Sequence, residues 1–218
     1  MADPYHPMLA DFVLSDDEEA AINEALSQDD PWGYAAADSL VADALKSAKK
    51  KILDYHLERH EHHCCYCRKS LQGEGHFVTD REHILPKGNA IFKPYSYTIW
   101  NLAAACKRCN MQFKGKKTTF LNDAIDTTKF ELSDNYYFVH PNFDRFEDHI
   151  VREAKQRGTA HVIAFVSEDT AKARYTYEFF RLDELERASF DEAQGREPQL
   201  ADTPGTFAAR KLIEKFGQ

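Results

Sequence analysis

The sequence lacks features that define whole classes of protein. No apolar run approaches the ~18–20 residues that a helix needs to cross a bilayer, so we expect no membrane-spanning segment. The first four residues, Met-Ala-Asp-Pro, contain neither a basic n-region nor an apolar h-region, which argues against a secretion signal. The predicted location is therefore the cytoplasm, without a membrane partner.

Cysteine is scarce, and its spacing predicts a metal site rather than disulfides. The 218 residues include five cysteines, of which four form two C-x-x-C pairs, Cys64/Cys67 and Cys106/Cys109. Each C-x-x-C turn presents two sulfurs to one ion, and four thiolates suit a tetrahedral, structural zinc. In a chain without an export signal this pattern favours metal over disulfides. Cys65 is predicted to be a spare thiol, with the replacement of Cys64 as the alternative.

Lysine and arginine are absent from residues 1–45, which contain eleven acidic residues. This acidic segment has a formal charge of −11. Because the whole chain has a formal net charge of −8, the remainder carries +3. By contrast, residues 101–122 contain no acid but five basic residues: Lys107, Arg108, Lys114, Lys116 and Lys117. Phosphate binding needs a local basic patch rather than a basic protein, and this stretch supplies one.

Local patterns predict an α+β protein with enough apolar sequence for a core, since 43% of the residues are hydrophobic. Ser15 and Glu18 form a capping box that opens a helix through about Leu26. Asp30 is a plausible cap for a helical start at Pro31. A longer helix is predicted from about Asp38 to His60. Four lysines of this helix are expected to form a solvated face, with phosphate contact as the alternative: Lys46, Lys49, Lys50 and Lys51. His56 and His60 are expected at a solvated helix end, with zinc binding at their four-residue spacing as the alternative.

Two strands and a helix are predicted around the cysteine pairs. The first strand runs from Phe77 to Leu85 and ends at Pro86, the second covers Thr98–Leu102, and the helix runs from Cys109 towards Leu121. Further along, the patterns predict a strand over 161–166, a helix over 170–193, a loop over 194–205 and a last helix over 207–216.

Residues suited to phosphodiester hydrolysis lie between and beside the cysteine pairs. This reaction needs an activated water, a Lewis acid and cations that hold the backbone. The His83 imidazole is a suitable base because its unperturbed pKa of about 6.5 lies near working pH. Glu82 and Asn110 can each offer an oxygen to a hard ion such as Mg²⁺. Adjacent strand residues point to opposite faces, so Glu82 and His83 serve one phosphate only if the strand twists or bulges there.

These motifs resemble those of HNH endonucleases with zinc knuckles. They are Cys-Cys-Tyr-Cys at 64–67, Glu-His-Ile-Leu-Pro-Lys at 82–87, Trp-Asn-Leu at 100–102 and Cys-Lys-Arg-Cys-Asn at 106–110. The form with Glu before the His and Pro-Lys after it is similar to the HNH effectors of bacterial Septu-type and retron-associated antiphage systems. The resemblance covers about residues 63–118.

The resemblance implies a central ββα-metal unit stapled by the four-cysteine zinc site. An acidic helical region at 1–58 would precede a nuclease core at 59–122, and an α/β region at 123–218 would follow it. His83 would be the general base, Glu82 and Asn110 would hold a catalytic Mg²⁺ or Mn²⁺, and Asn101 would brace the loop that keeps His83 aimed.

The resemblance also implies partners, namely DNA and an ATPase or other sensor subunit of a defence complex. Lys114 stands where some members of the family place a metal-binding His, and we interpret it as a phosphate contact. The expected contacts to nucleic acid are Lys87, Lys107, Arg108, Lys114, Lys116 and Lys117.

Three alternatives remain open at this point. A non-catalytic zinc-ribbon module that binds nucleic acid or protein explains the cysteines and the basic stretch, but it gives no reason for the arrangement of Glu82, His83 and Asn110. A second alternative keeps the nuclease but makes RNA rather than DNA its target. The acidic segment either docks a partner or shields the basic site, or it forms a solvated helical cap.

Overall fold

The computed structural model describes residues 3–122, 129–158 and 160–187. The chain is a mixed helix and sheet protein and divides into two compact units, Met1–Arg145 and Phe146–Gln218. This confirms the α+β class. Within the described ranges, no helix is both long enough and apolar enough to cross a bilayer.

Two helices open the first unit. Helix α1 covers Asp16–Leu26, and the capping box predicted for Ser15 and Glu18 is confirmed because both of its hydrogen bonds are present. Helix α2 covers Ser39–Arg59 and begins at the Asp38 cap, close to the predicted bounds. No helix starts at Pro31; instead, Asp30 Oδ1 accepts a hydrogen bond of 3.0 Å from the Gly33 amide and closes a turn.

A short antiparallel hairpin follows, and α2 packs against it. Strand β1 covers Thr79–His83 and pairs in continuous register with strand β2, which covers Leu102–Cys106. The strand predicted over Thr98–Leu102 was wrong, because Ile99–Asn101 form a 3₁₀ turn and β2 begins only at Leu102. One apolar core joins α1, α2 and the hairpin region: Ala21, Ile22, Ala25, Leu45, Ala48, Ile52, Tyr97 and Leu102.

A wide helical turn follows β2. It covers Arg108–Lys114 with π-helical hydrogen bonding, and the Gly115 amide donates to the Asn110 carbonyl at 2.7 Å. The turn ends at Gly115, whose φ of +50° suits a residue without a side chain. The helix predicted from Cys109 towards Leu121 is therefore shorter than expected.

The described part of the second unit contains another antiparallel hairpin and one short helix. Strand β3 covers Ile150–Arg157, strand β4 covers Ala160–Ser167, and helix α3 covers Ala171–Phe179. The strand predicted over 161–166 lies within β4. The helix predicted over 170–193 is interrupted, because a 3₁₀ turn at Leu182–Leu185 follows α3. The predictions for 188–193, 194–205 and 207–216 lie outside the described residues.

Candidate metal centre and neighbouring polar site

The four cysteines of the two C-x-x-C pairs come together in the interior of the first unit. Their sulfur atoms all lie within 4.8 Å of one another, and all four residues are buried. The Cys67 and Cys106 sulfurs are 3.8 Å apart, whereas a disulfide needs about 2.05 Å. With zinc–sulfur bonds of about 2.3 Å, a tetrahedral site has sulfur–sulfur edges of about 3.8 Å. The cluster therefore fits a tetrahedral metal ion such as zinc.

The backbone around the cluster supports the same interpretation. The Cys106 amide donates to the Cys64 sulfur at 3.3 Å, which would stabilise a thiolate there. Cys65 lies outside the group of four, and burial raises its pKa well above the ordinary value. Cys64 rather than Cys65 thus belongs to the cluster, in agreement with the preferred assignment from the sequence.

Glu82 is fully buried, and a lysine neutralises it. Its Oε1 lies 2.7 Å from Lys114 Nζ and accepts a hydrogen bond of 3.1 Å from the Tyr66 hydroxyl. Its Oε2 is buried and has no hydrogen-bond partner among the described residues. Burial raises the pKa of Glu82, and the Lys114 charge opposes that rise. Lys114 itself is 1% exposed and also donates to the His83 carbonyl. In this arrangement it contacts protein groups, and its role as a phosphate contact stays a prediction.

Asn110 has a different partner from Glu82. Its amide donates to Asp80 Oδ2 at 3.2 Å, and Lys107 Nζ lies 3.5 Å from Asp80 Oδ1. Asp80 and Glu82 are two residues apart on β1 and so share one face of the strand. The π-helical turn places Asn110 and Lys114 beside that face, where Asn110 contacts the Asp80 carboxylate and Lys114 contacts the Glu82 carboxylate.

The contacts of Glu82 and Asn110 show whether these two residues could bind a divalent cation in this arrangement. The site does contain oxygen donors, including the unpartnered Glu82 Oε2. However, the cation already in contact with Glu82 is the Lys114 ammonium at 2.7 Å. A second, divalent charge on the same carboxylate would lie within a few ångströms of it and be repelled. The two predicted ligands therefore do not form a divalent ion site in this arrangement.

His83 lies on the opposite face of β1. Its Nε2 lies 3.1 Å from the Ser96 carbonyl, so Nε2 is the donor and Nδ1 carries the lone pair. The residue is 6% exposed, and burial lowers its pKa to about 3. His83 pairs regularly with Leu102, with no bulge in the ladder. Glu82 and His83 thus keep the alternation of an ordinary strand rather than facing one common point.

An aromatic residue from the acidic segment covers His83. The Trp32 indole meets the imidazole edge to face, with ring centroids 4.4 Å apart. The turn that carries Trp32 is held by two hydrogen bonds, from Tyr97 Oη to the Pro31 carbonyl at 3.0 Å and from Lys49 Nζ to the Trp32 carbonyl at 2.7 Å. Nothing in the local sequence around Trp32 indicated this contact, which spans 51 positions.

Asn101 joins the two ends of the loop between β1 and β2. Its Oδ1 accepts from the Leu85 amide at 2.7 Å, and its Nδ2 donates to the Tyr95 carbonyl at 3.0 Å. Tyr95 adjoins Ser96, whose carbonyl orients His83. The structure therefore places Asn101, which is 0% exposed, where it fixes the backbone that holds the imidazole.

The predicted basic contacts are dispersed rather than gathered on one surface. Lys107 pairs with Asp80, and the Arg108 guanidinium lies 4.3 Å from the Phe113 ring centroid. Lys116 and Lys117 are exposed. Lys87 lies beside His83 instead, with its Nζ 5.8 Å from the Trp32 ring centroid.

Four residues that shape this site were not predicted from the sequence: Trp32, Tyr66, Asp80 and Ser96. Two of them carried a usable signal. Tyr66 lies inside the first C-x-x-C pair, and Asp80 precedes Glu82 by two positions and so had to share its face. Comparisons with protein-family models, curated proteins and solved structures find no match for this chain.

Proposed function

We propose that the chain is an HNH-type endonuclease that hydrolyses phosphodiester bonds in DNA, with His83 as the general base. The observation that carries the proposal is the hydrogen bond from His83 Nε2 to the Ser96 carbonyl, 3.1 Å long. It fixes the tautomer and leaves the Nδ1 lone pair to accept a proton from water. Burial keeps this imidazole neutral, with a pKa of about 3.

An imidazole with such a low pKa is a weak base, but binding of the substrate would raise that pKa. A phosphate bound beside His83 brings negative charge, which favours the imidazolium and raises the pKa. Nδ1 would then take a proton from the water that attacks phosphorus, while the bond from phosphorus to the leaving sugar oxygen breaks and that oxygen takes a proton from solvent water. Asn101 would act as a positioning residue, because it fixes the backbone next to Ser96.

The metal content of the proposal rests mainly on the cysteines. Zinc is the ion we assign to Cys64, Cys67, Cys106 and Cys109, where it would staple the hairpin to the helical turn. The Mg²⁺ or Mn²⁺ that the family resemblance implies on Glu82 and Asn110 does not fit these residues in this arrangement, because Lys114 already contacts Glu82, and no step above depends on it.

A plasmid-nicking assay tests the proposal. Purified protein is incubated with supercoiled plasmid in Mg²⁺, Mn²⁺ or EDTA, alongside His83→Ala and the matched control His76→Ala, which changes an exposed histidine of the same unit. Because Trp32 covers His83, each protein is also tested with Trp32→Ala; in that background we expect nicking by the protein with His83 intact and by His76→Ala, and none by His83→Ala. Cleavage by His83→Ala at the same rate as the protein with His83 intact would show that His83 is not the base. Cleavage of RNA but not of DNA would show that the substrate is RNA.

A non-catalytic binding module is the second candidate, and one observation favours it. Glu82 and His83 are 0% and 6% exposed, so neither is open to substrate in this conformation. The nuclease proposal therefore includes displacement of the Trp32 turn, which makes the acidic segment a shield of the site. A role as an antiphage effector with an ATPase or sensor subunit belongs to this proposal, since a partner that binds the acidic segment would expose His83. Co-purification from the native host tests for such a partner.

A further inference from the structure

The face of β1 that carries His83 also carries an arginine. Arg81 precedes His83 by two positions, so both side chains project from the same face of the strand. Arg81 Nε donates to the Lys49 carbonyl on α2 at 2.8 Å, which brings the helix and this face together. The remaining guanidinium nitrogens of this exposed residue are left for other partners.

Lysines from two other segments share this environment. Burial lowers the pKa of Lys49, and the charges of Lys87 and Arg81 lower it further, while Asp30 opposes them. Three cations therefore act on one another here, with Asp30 as the opposing acid. Within the described residues, no carboxylate oxygen lies within 4.0 Å of Lys49, Arg81 or Lys87. Such mutual repulsion is relieved when an anion binds among the cations.

A cleft of about 370 Å³ lies at this position. It is bounded by Lys46 and Lys49 from α2, by Arg81 from β1, and by Tyr34 from the segment that follows the Trp32 turn. Lys46 is exposed and lies one helical turn before Lys49 on α2. Two other lysines of α2 are instead neutralised, Lys50 by Asp54 at 2.5 Å and Lys51 by Glu18 at 2.6 Å.

We infer that this cleft binds backbone phosphates of the nucleic-acid substrate, with Lys46, Lys49 and Arg81 as the contacts that lead the strand to His83. The inference rests on the proposed function, and it assigns the bound nucleic acid to a different surface from the one predicted from the sequence. The strand runs along α2 and the His83 face of β1, not along the basic stretch at 107–117. Cations here hold phosphate on the side of the hairpin where the base lies, whereas Lys107 lies beside Asp80, on the side of Glu82.

Salt-dependent binding tests the inference without requiring cleavage. Fluorescence anisotropy in EDTA measures the Kd of labelled 20-base-pair DNA, and of single-stranded RNA of the same length, over a range of NaCl concentrations. Each lost phosphate contact lowers the slope of log Kd against log[NaCl] by about 0.9 for duplex DNA and about 0.7 for a single strand. The double variant Lys46→Gln/Arg81→Gln should therefore lower the DNA slope by about 1.8 and weaken binding at low salt.

Two controls make the result specific. Lys50→Gln changes a lysine of the same helix that is paired with Asp54, and it should leave the slope unchanged. Lys116→Gln/Lys117→Gln tests the path predicted from the sequence. A reduced slope in that variant, with an unchanged slope in the cleft variant, would overturn the inference, as would failure of wild type to bind either probe.

The same measurements separate this inference from the nuclease proposal. Binding that depends on Lys46 and Arg81, by a protein that nicks nothing even when Trp32→Ala uncovers His83, would uphold the cleft and refute the nuclease. Nicking that depends on His83, with unchanged salt slopes in the cleft variant, would do the reverse. Both substituted residues are exposed, and an unchanged Tm of the double variant verifies that it is folded.

Discussion

Replacing Lys114 with Met removes the ammonium that contacts the buried Glu82 carboxylate while keeping a side chain of similar length. The loss leaves Tyr66 as donor to Oε1 and leaves Oε2 as it was, without a partner. Breaking a buried ion pair by removing one partner costs about 3–5 kcal/mol, because the other charge stays buried. We expect a loss of that size in the free energy of unfolding, measured with guanidinium chloride at pH 8 and saturating zinc.

The cost should shrink as the pH falls. Burial already raises the pKa of Glu82, and loss of the lysine charge raises it further. A folded state with a raised carboxyl pKa binds more protons than the unfolded state, so its relative stability grows towards low pH. At pH 5 Lys114→Met should therefore lose less than at pH 8. The double variant Lys114→Met/Glu82→Gln, which buries no charge, should recover most of the loss at both pH values.

Magnesium gives the sharpest form of this test. In wild type the ammonium excludes a divalent ion from Glu82, so 10 mM MgCl₂ at matched ionic strength should leave Tm unchanged. In Lys114→Met the carboxylate has lost its ammonium partner, and an ion bound with a Kd of about 1 mM would stabilise the fold by about 1.4 kcal/mol at that concentration.

The control for this series is Lys50→Met, which breaks an exposed pair and should cost at most about 1 kcal/mol. A rise in wild-type Tm with magnesium, together with a loss below about 1 kcal/mol in Lys114→Met, would refute the reasoning. It would mean that a metal ion and not the ammonium neutralises Glu82.

Two further predictions concern the metal centre and the covered base. Cys106→Ser should abolish zinc binding and cooperative folding of the first unit, because structural zinc in small modules contributes about 10–16 kcal/mol of apparent free energy. Zinc analysis and circular dichroism check this, with Cys65→Ser as the control that keeps the metal; a folded, zinc-free Cys106→Ser would contradict it. Trp32→Ala should make His83 react several-fold faster with diethylpyrocarbonate, because it removes the indole whose ring centroid lies 4.4 Å from that of the imidazole. Peptide mass spectrometry reads this out, Leu40→Ala is the exposed apolar control, and an unchanged rate would show that Trp32 does not shield His83.

The features that the sequence predicted correctly depend on short spacings. A C-x-x-C turn brings two sulfurs together by local geometry alone, so the four-cysteine cluster followed from two such turns. The capping box of α1 likewise needs only Ser15 and Glu18, three positions apart. Strand β2 could not be placed in this way. Its sequence Leu-Ala-Ala-Ala-Cys is poor in β-branched residues and is buried at all five positions, so tertiary packing against α2 decides its structure.

Residues whose environment depends on distant contacts were misjudged. His56 and His60 were expected at a solvated helix end, but they are 0% and 3% exposed. His56 Nε2 lies 3.1 Å from the Ile99 carbonyl, 43 positions away. Lys114 is a similar case, because the sequence shows that this residue is positively charged but does not show that it is buried. A sequence pattern specifies which groups are present, whereas the packing of the hairpin against the helical turn decides which charges pair.

The alternation of side chains along β1 explains how the Glu82 ion pair and the position of His83 are connected. Glu82 and His83 face opposite sides of the strand, yet Lys114 contacts both, since it pairs with the Glu82 carboxylate and donates to the His83 carbonyl. The ion pair therefore holds the backbone of the residue whose side chain carries the proposed base. A phosphate on the His83 side would meet Arg81, Lys49 and Lys87 rather than a cation bound to Glu82. Loss of Glu82 should thus impair cleavage through the position of His83, with the salt dependence of nucleic-acid binding unchanged.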